Sequence, residues 1–349
     1  MRAFSLKICL SLLVYFFCCL FQLNAQQNSF LDKVIEITQM SSVYRHNVDW
    51  DTLKPKVYAA VIQNEPDTLK ALRPAIGFML AALEDNHSFM MYKGTYFGRT
   101  GKVNTYNLLN EQTKEALKKE KGSPVRVAKL RKDVAYISVP AMSTPPKDGA
   151  EMAKNLGQKL RDSLCGLNLA DLKGIIVDLR LNTGGNMYPM IGGLAPLLGD
   201  GDAGSFVRDG EVLSTWTIKK ENVYFGKIPS TYIDHPCKVN KKIKIALLTG
   251  PITSSAGEAT VISFIGKKNT KLFGEPTAGL VTANQMMKLG DNIYYYVSVS
   301  TEADRKGKEY KSAILPDEEI IGGDNFEDLN NDQKIIAAMK WLTDKDSLE

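Results

Sequence analysis

The sequence predicts an α/β fold preceded by a small helical domain, and three observations carry that reading. Between Phe30 and Leu83 apolar residues recur at three- and four-residue steps. From Val125 onward short apolar strands alternate with helical stretches. Two of those strands, Ile175 to Val177 and Ile245 to Leu248, are uninterrupted apolar runs, which suits strands covered on both faces.

In the helical domain, residues 26–92, the core positions are Leu31, Val34, Ile35 and Ile37, then Val57, Ala60 and Val61, then Leu69, Leu72, Ile76, Met79, Leu80 and Leu83. Asn47 and Asp49 near Trp50 and Pro55, and then Asn64 to Asp67, mark the breaks between its helices. Residues 93–124 are Gly-rich and polar, hold a charged helix candidate over residues 112–121, and read as a connector or lid. The α/β core follows over 125–349. Its expected strands cover 134–139, 174–179, 243–249 and 270–273, with longer alternating ones at 212–218 and 292–301. Its helices are expected near 152–164, after Asn186, after Ser255, and over 331–342.

Arg2 and Lys7 precede an apolar run from Ile8 to Leu23, and Ala25 supplies a small residue for cleavage. Residues 1–25 therefore read as a secretory signal peptide, and the chain is expected to be periplasmic or secreted, with no stable membrane anchor after cleavage. The competing reading, a single membrane anchor, needs about 20 apolar residues where this run has 16. Cys18 follows Phe17 and Cys19 follows Cys18, not a small residue, which argues against lipidation.

With 349 residues, 44% hydrophobic and 24% charged, the chain can bury a large core, which excludes disorder and fibrous repeats. The net charge of +5 falls to +3 without Arg2 and Lys7, too near neutral to suggest a nucleic-acid partner. Past the leader only Cys165 and Cys237 remain, open to a single bridge or to two buried thiols. His46, His87 and His235 have no Cys or His at ligand spacing, so no metal site and no cofactor is expected.

Three segments could build one site. Thr249 to Glu258 lies between a buried strand and a helix, which places Ser255 at a helix N-terminus, where free N–H groups favour developing negative charge. Ser255 is the natural nucleophile candidate; the plainer reading is that Thr253, Ser254 or Ser255 caps the helix with Glu258 closing a capping box. Gly174 to Gly185 runs from a buried strand into a glycine turn, so Gly184 or Gly185 could present a main-chain N–H to an oxyanion. Alone, such a turn is usually only a turn, and Asp178 and Arg180 read as structural pairing. Leu83 to Phe89 places His87 among short polar residues at the end of the helical domain, where it could serve a site or merely cap a helix.

Taken in this order, the segments resemble the C-terminal-processing (tail-specific) and tricorn-core serine peptidases over most of the chain. Asp85, Asn86, His87 and Ser88 resemble the family's Asp-Gly-His-Ser/Thr box; Val177 to Gly185 resembles its Asp-Leu-Arg-Asn-x-Gly-Gly segment; Thr253 to Glu258 resembles its Ser-Ala-x-Glu nucleophile turn. Gly274 to Gly279 and Ile314 to Asp317 match two further landmarks. The resemblance implies a crotonase/ClpP-like core of stacked ββα units and a serine endopeptidase acting on peptides or proteins. In the processing branch a lysine base stands where this chain has Leu280 followed by Val281, so His87 resembles the histidine-containing, tricorn-like branch. Asn86 replaces that branch's serine and Lys311 its supporting Glu, which leaves Ser88, Asp85, Glu302 and Glu309 as candidate orienting residues. About 37 residues separate Ser88 from Val125, fewer than the roughly 80 to 90 of a PDZ domain, so that tethering module is expected to be absent.

By this reading Ser255 attacks, His87 takes its proton, and the oxyanion sits between the N–H of Ala256 and that of Gly184 or Gly185. The alternative is a catalytically silent binding protein on the same fold, similar to the retinoid-binding relatives. A crotonase-like acyl-CoA enzyme is disfavoured by the leader. Self-association is left open.

Overall fold

The computed structural model describes residues 27–101, 105–120, 125–145, 149–234 and 236–344. The proposed leader and His235 lie outside them. The chain divides into two compact units, Met1–Val103 with Asn284–Ser300, and Asn104–Ala283 with Thr301–Glu349.

In the first unit, helices cover residues 27–41, Trp50–Ala59 and Thr68–Ala82. Asp49 and Asp67 end the breaks as N-caps: Asp49 accepts the Asp51 N–H, and Asp67 accepts those of Leu69 and Lys70. Pro55 proves to lie inside its helix instead of bordering it. The apolar stripes converge on one core of Leu31, Val34, Val57, Leu72, Ile76 and Met79, closed by Tyr295 and Val297. A hairpin joins Phe89–Tyr92 to Thr95–Gly98 through Lys93 and Gly94, both at positive φ as a tight hairpin turn requires. Phe89–Tyr92 also pairs antiparallel with residues 293–296, Phe89 opposite Tyr296.

The second unit is built on a six-stranded sheet in the order Glu318–Glu319, Thr270–Gly274, Lys244–Thr249, Gly174–Asp178, Val134–Ser138, Val127–Arg131. All neighbours are parallel except the last pair. The period of two divides each central strand between two cores. Ile137, Ile175, Val177, Ile245 and Leu247 join the helices Gly149–Cys165, Met187–Leu198 and Ala256–Phe264, while Tyr136, Ile176, Ala246 and Leu248 join the closing helix Gln333–Thr343. Antiparallel strands Gly201–Arg208, Glu211–Lys219, Asn222–Phe225 and Ile228–Thr231 pair in sequence, and residues 301–304 pair with Gly201–Arg208.

Arg180, just past a central strand, is 2% exposed and ion-paired with Asp178 (2.7 Å), Asp324 (2.8 Å) and Asp332 (2.6 Å). Burial alone would push the Asp178 carboxyl up, but the Arg180 guanidinium beside it holds it below the usual carboxylate range. This is the structural pairing expected of those two residues.

Cys165 and Cys237 form a disulfide across 72 residues, which decides between the bridge and the two thiols. Closing a loop of that length in the unfolded chain stabilises by about 4 kcal/mol in the entropic account. The double variant Cys165→Ser/Cys237→Ser is expected to melt on the order of 10 °C lower in calorimetry. A melting temperature equal to that of the wild type would show that the bridge does not constrain the fold.

Candidate active site

The strand Lys244–Thr249 delivers the chain into the turn Gly250 to Ser254, and the helix Ala256–Phe264 leaves it at once. Thr253 fixes the turn: its hydroxyl donates to Leu179 O and accepts the Gly250 N–H. Ser255 then sits at φ 53°, ψ −119°. A non-glycine residue there carries about 1–3 kcal/mol of backbone strain, the conformation of a nucleophile on a sharp strand-to-helix turn.

Ser255 and Glu258 are arranged as a capping box, but only the carboxylate half meets normal hydrogen-bond geometry: Glu258 Oε2 accepts the Ser255 N–H at 2.9 Å. No side-chain cap hydrogen bond from Ser255 meets that geometry. Glu258 also accepts Thr277 Oγ1–H and Gly279 N–H on Oε1, and Leu280 N–H on Oε2. Burial pushes its carboxyl up, opposed by these four donors. Leu280, at the position of the other branch's lysine, thus contributes a main-chain bond to the carboxylate beneath Ser255.

The glycine turn abuts the same place. Gly184 stands at φ 99°, and a Cβ added there would lie 2.9 Å from Ser254 O and 3.0 Å from Ser255 Cβ. The Gly184 N–H, however, is donated to Asn182 Oδ1 at 2.9 Å. One hydrogen cannot serve two acceptors well, so Gly184 is corrected from oxyanion donor to close-packing residue. Among the described residues nothing accepts the N–H of Gly185 or of Ala256. Asn182 is the residue sequence reasoning missed. Fully buried, it donates to Val139 O and Pro140 O, and its own carbonyl accepts Ser254 N–H at 3.1 Å. The available signal was an Asn two residues before a glycine, the pattern of an Asx turn.

His87, Asp85 and Ser88 belong to the first unit. Asp85, 0% exposed, accepts the N–H of His87 at 2.9 Å and of Ser88 at 2.8 Å, and the Ser88 hydroxyl donates to its Oδ2. Ser298 adds its hydroxyl to Asp85 at 3.1 Å, and Asn284 Nδ2 donates to His87 O at 2.9 Å. Asp85 and Ser88 thus orient the backbone that carries His87. Glu302 and Glu309 belong to the second unit: Glu309 accepts the Thr301 hydroxyl, and Glu302 is 3% exposed with Oε2 unpartnered among the described residues. Lys311 is exposed, as is His46.

A model of peptidase family S41 matches residues 133–320, which cover the whole of this serine-and-glycine arrangement. The chain belongs to peptidase family S41. Among particular proteins it is similar to the nisin-resistance protein of Lactococcus lactis subsp. lactis, 30% identical over 191 residues, 54% of this chain and 57% of that one. The chain thus spans little more than half the length of that relative. In fold it is similar to a lipoprotein from Streptococcus agalactiae (TM-score 0.65, 22% identity, 90% and 96% of the two chains). It is similar too to the photosystem II D1 C-terminal processing protease (TM-score 0.55, 13% identity, 91% and 97%). These agree with the α/β core and helical N-terminal region read from the sequence.

Two outcomes follow from this geometry. Because Ser255 is strained and glycine is not at such φ and ψ, Ser255→Gly is expected to melt a few degrees above Ser255→Ala, by about 1 kcal/mol; equal melting temperatures would show an unstrained turn. Burial, and next the Glu258 carboxylate, push the Glu302 carboxyl well above the ordinary glutamate range, so the folded protein keeps its proton. The unfolded chain releases that proton above about pH 4.3, so stability falls as pH rises past it. Glu302→Gln should raise the melting temperature at pH 8 and leave it unchanged near pH 4, read by thermal scans at both.

Proposed function

We propose that the protein is an extracytoplasmic serine endopeptidase in which Ser255 is the nucleophile and His87 its base. The observation that carries this is the backbone of Ser255, held at φ 53°, ψ −119° on a strand-to-helix turn with its N–H on the Glu258 carboxylate and its hydroxyl at the head of the helix. Ser255 Oγ attacks the scissile carbonyl as His87 accepts its proton, and the resulting oxyanion is received by the N–H groups of Ala256 and Gly185. Collapse expels the amine, which takes the proton from His87 and leaves an acyl ester on Ser255. Water, deprotonated by His87, then attacks the ester, and His87 returns that proton to the departing Ser255 Oγ as the acid leaves. Asp85 and Ser88 serve as positioning residues for the His87 turn.

The compartment reading rests on the Cys165–Cys237 bridge, which persists where thiols are oxidised, and on the basic and apolar start of the chain. The name of the Lactococcus relative points to a peptide, and we extend that substrate class to this chain.

A fluorophosphonate probe tests the reading. The wild type should be labelled and Ser255→Ala should not, while Ser254→Ala, altered at a side chain only 8% exposed, keeps labelling. Turnover of a peptide substrate should fall by about 10³-fold or more in Ser255→Ala and at least about 100-fold in His87→Ala. The wild-type rate should rise with pH on its acid side, as a base that acts deprotonated requires. A folded wild type that neither labels nor cleaves would instead be the catalytically silent binder.

A further inference from the structure

The second unit carries a cavity of about 580 Å³ that the catalytic reading does not use. Lys267, Lys268, Lys306, Lys308 and Lys311 line it, against Glu309 and Asp317. Both carboxylates are engaged in the fold, Glu309 with the Thr301 hydroxyl and Asp317 with the Leu272 N–H at 2.8 Å. Among the described residues no ion pair involves any of the five lysines. The cationic excess is built in by backbone. Asp304 accepts the N–H of Lys306 and of Lys308 and so presents both from one tight turn. On the other wall, Arg305 Nη2 donates to Ser263 O at 2.6 Å, near the end of the helix that leads to Lys267. Burial, and next the Arg305 charge, lower the Lys267 ammonium from its ordinary value, a penalty that an incoming anion would relieve.

The cavity and the nucleophile share one element. Ser255 stands before the first residue of the helix Ala256–Phe264, and Phe264 and Ile265 line the cavity at its other end. Nine residues of helix span ~13 Å in a straight line, and the helix is buried throughout, so an extended peptide passing over the surface covers the distance in no fewer than about four residues. The remaining wall touches the nucleophile turn from behind: a Cβ on Gly279 would lie 2.9 Å from Ala313 N, and Thr277, bonded to Glu258, accepts the Ile314 N–H at 2.8 Å. A membrane is a poorer occupant, because Leu315 is the one large apolar side chain strongly exposed among the described lining residues and the surface is concave.

We propose that this lysine-lined cavity is an exosite for carboxylate side chains of the peptide substrate, four or more residues from the scissile bond. The inference rests on the peptidase reading for its substrate. Its test pairs quenched-fluorescence peptides of one cleaved sequence, with Glu-Glu or Gln-Gln placed in turn over the positions four to eight residues from the cut, made separately for each side of it. The wild type should prefer an acidic peptide by about tenfold in kcat/KM, through KM. Lys306→Ala/Lys308→Ala, at an exposed turn, should abolish the preference and leave the Gln-Gln peptide within about twofold. Equal handling of the two peptides of every pair by the wild type, or a variant that slows both alike, overturns the exosite. If the protein cleaves nothing, the peptidase reading fails separately, and fluorescence polarisation of a labelled Glu-rich octapeptide decides the site. Binding lost in the lysine variant and in about 0.5 M salt upholds it; no binding overturns it. Phosphatidylglycerol vesicles or inorganic phosphate bound as tightly as the octapeptide, and lost in the same variant, would overturn the assignment to a peptide.

Discussion

A single buried guanidinium ties the second unit together. Arg180 has carboxylates on three sides and the Phe326 ring 4.5 Å away, and each partner belongs to a different part of the fold. Asp178 ends a central strand, Asp332 caps the closing helix through Lys334 and Ile335 N–H, and Asp324 lies on the loop before it. Desolvating such a set is costly, and it persists because every charge in it has a partner. Asp324 is shared with Lys334, which is buried and paired with Glu275 at 2.8 Å. Glu275 begins the segment whose Thr277, Gly279 and Leu280 clamp Glu258. Charge pairing thus runs from Arg180, through Asp324 and Lys334, to the segment that supports the turn of Ser255.

Elements whose own residues state their environment were legible in the sequence. Ile175 to Val177 and Ile245 to Leu248 can only be strands covered twice, and Asn186, Asp67 and Ser255 each announce a helix start. The antiparallel strands Gly201–Arg208, Asn222–Phe225 and Ile228–Thr231 were not legible, because Gly201, Gly204, Asn222 and Pro229 read as turn residues and the strands owe their form to partners elsewhere. The assignment of Asn284–Ser300 to the first unit was hidden for the same reason: its ladder to Phe89 spans some two hundred residues of sequence.

The site divides likewise. That the turn carrying Ser255 and the glycine turn meet was an expectation from residue type and order, and the two do lie together. Which glycine keeps its N–H was not legible, since that depends on the rotamer of Asn182, fixed by carbonyls from Val139 and Pro140 about forty residues earlier. The plain reading of Glu258 as a capping residue and its role beneath the nucleophile are one set of hydrogen bonds, with Thr277 and the Gly279 and Leu280 amides supplying what the helix alone does not.

That arrangement bears on how such an enzyme persists through descent. The Ser255 hydroxyl sits in the capping box without a hydrogen bond of normal geometry, and the backbone beneath it would be more comfortable as glycine. Selection for folding alone therefore gains little from the hydroxyl and is mildly opposed to the residue. A lineage released from its chemistry would meet little structural obstacle to losing the serine, and would keep the scaffold intact for other uses.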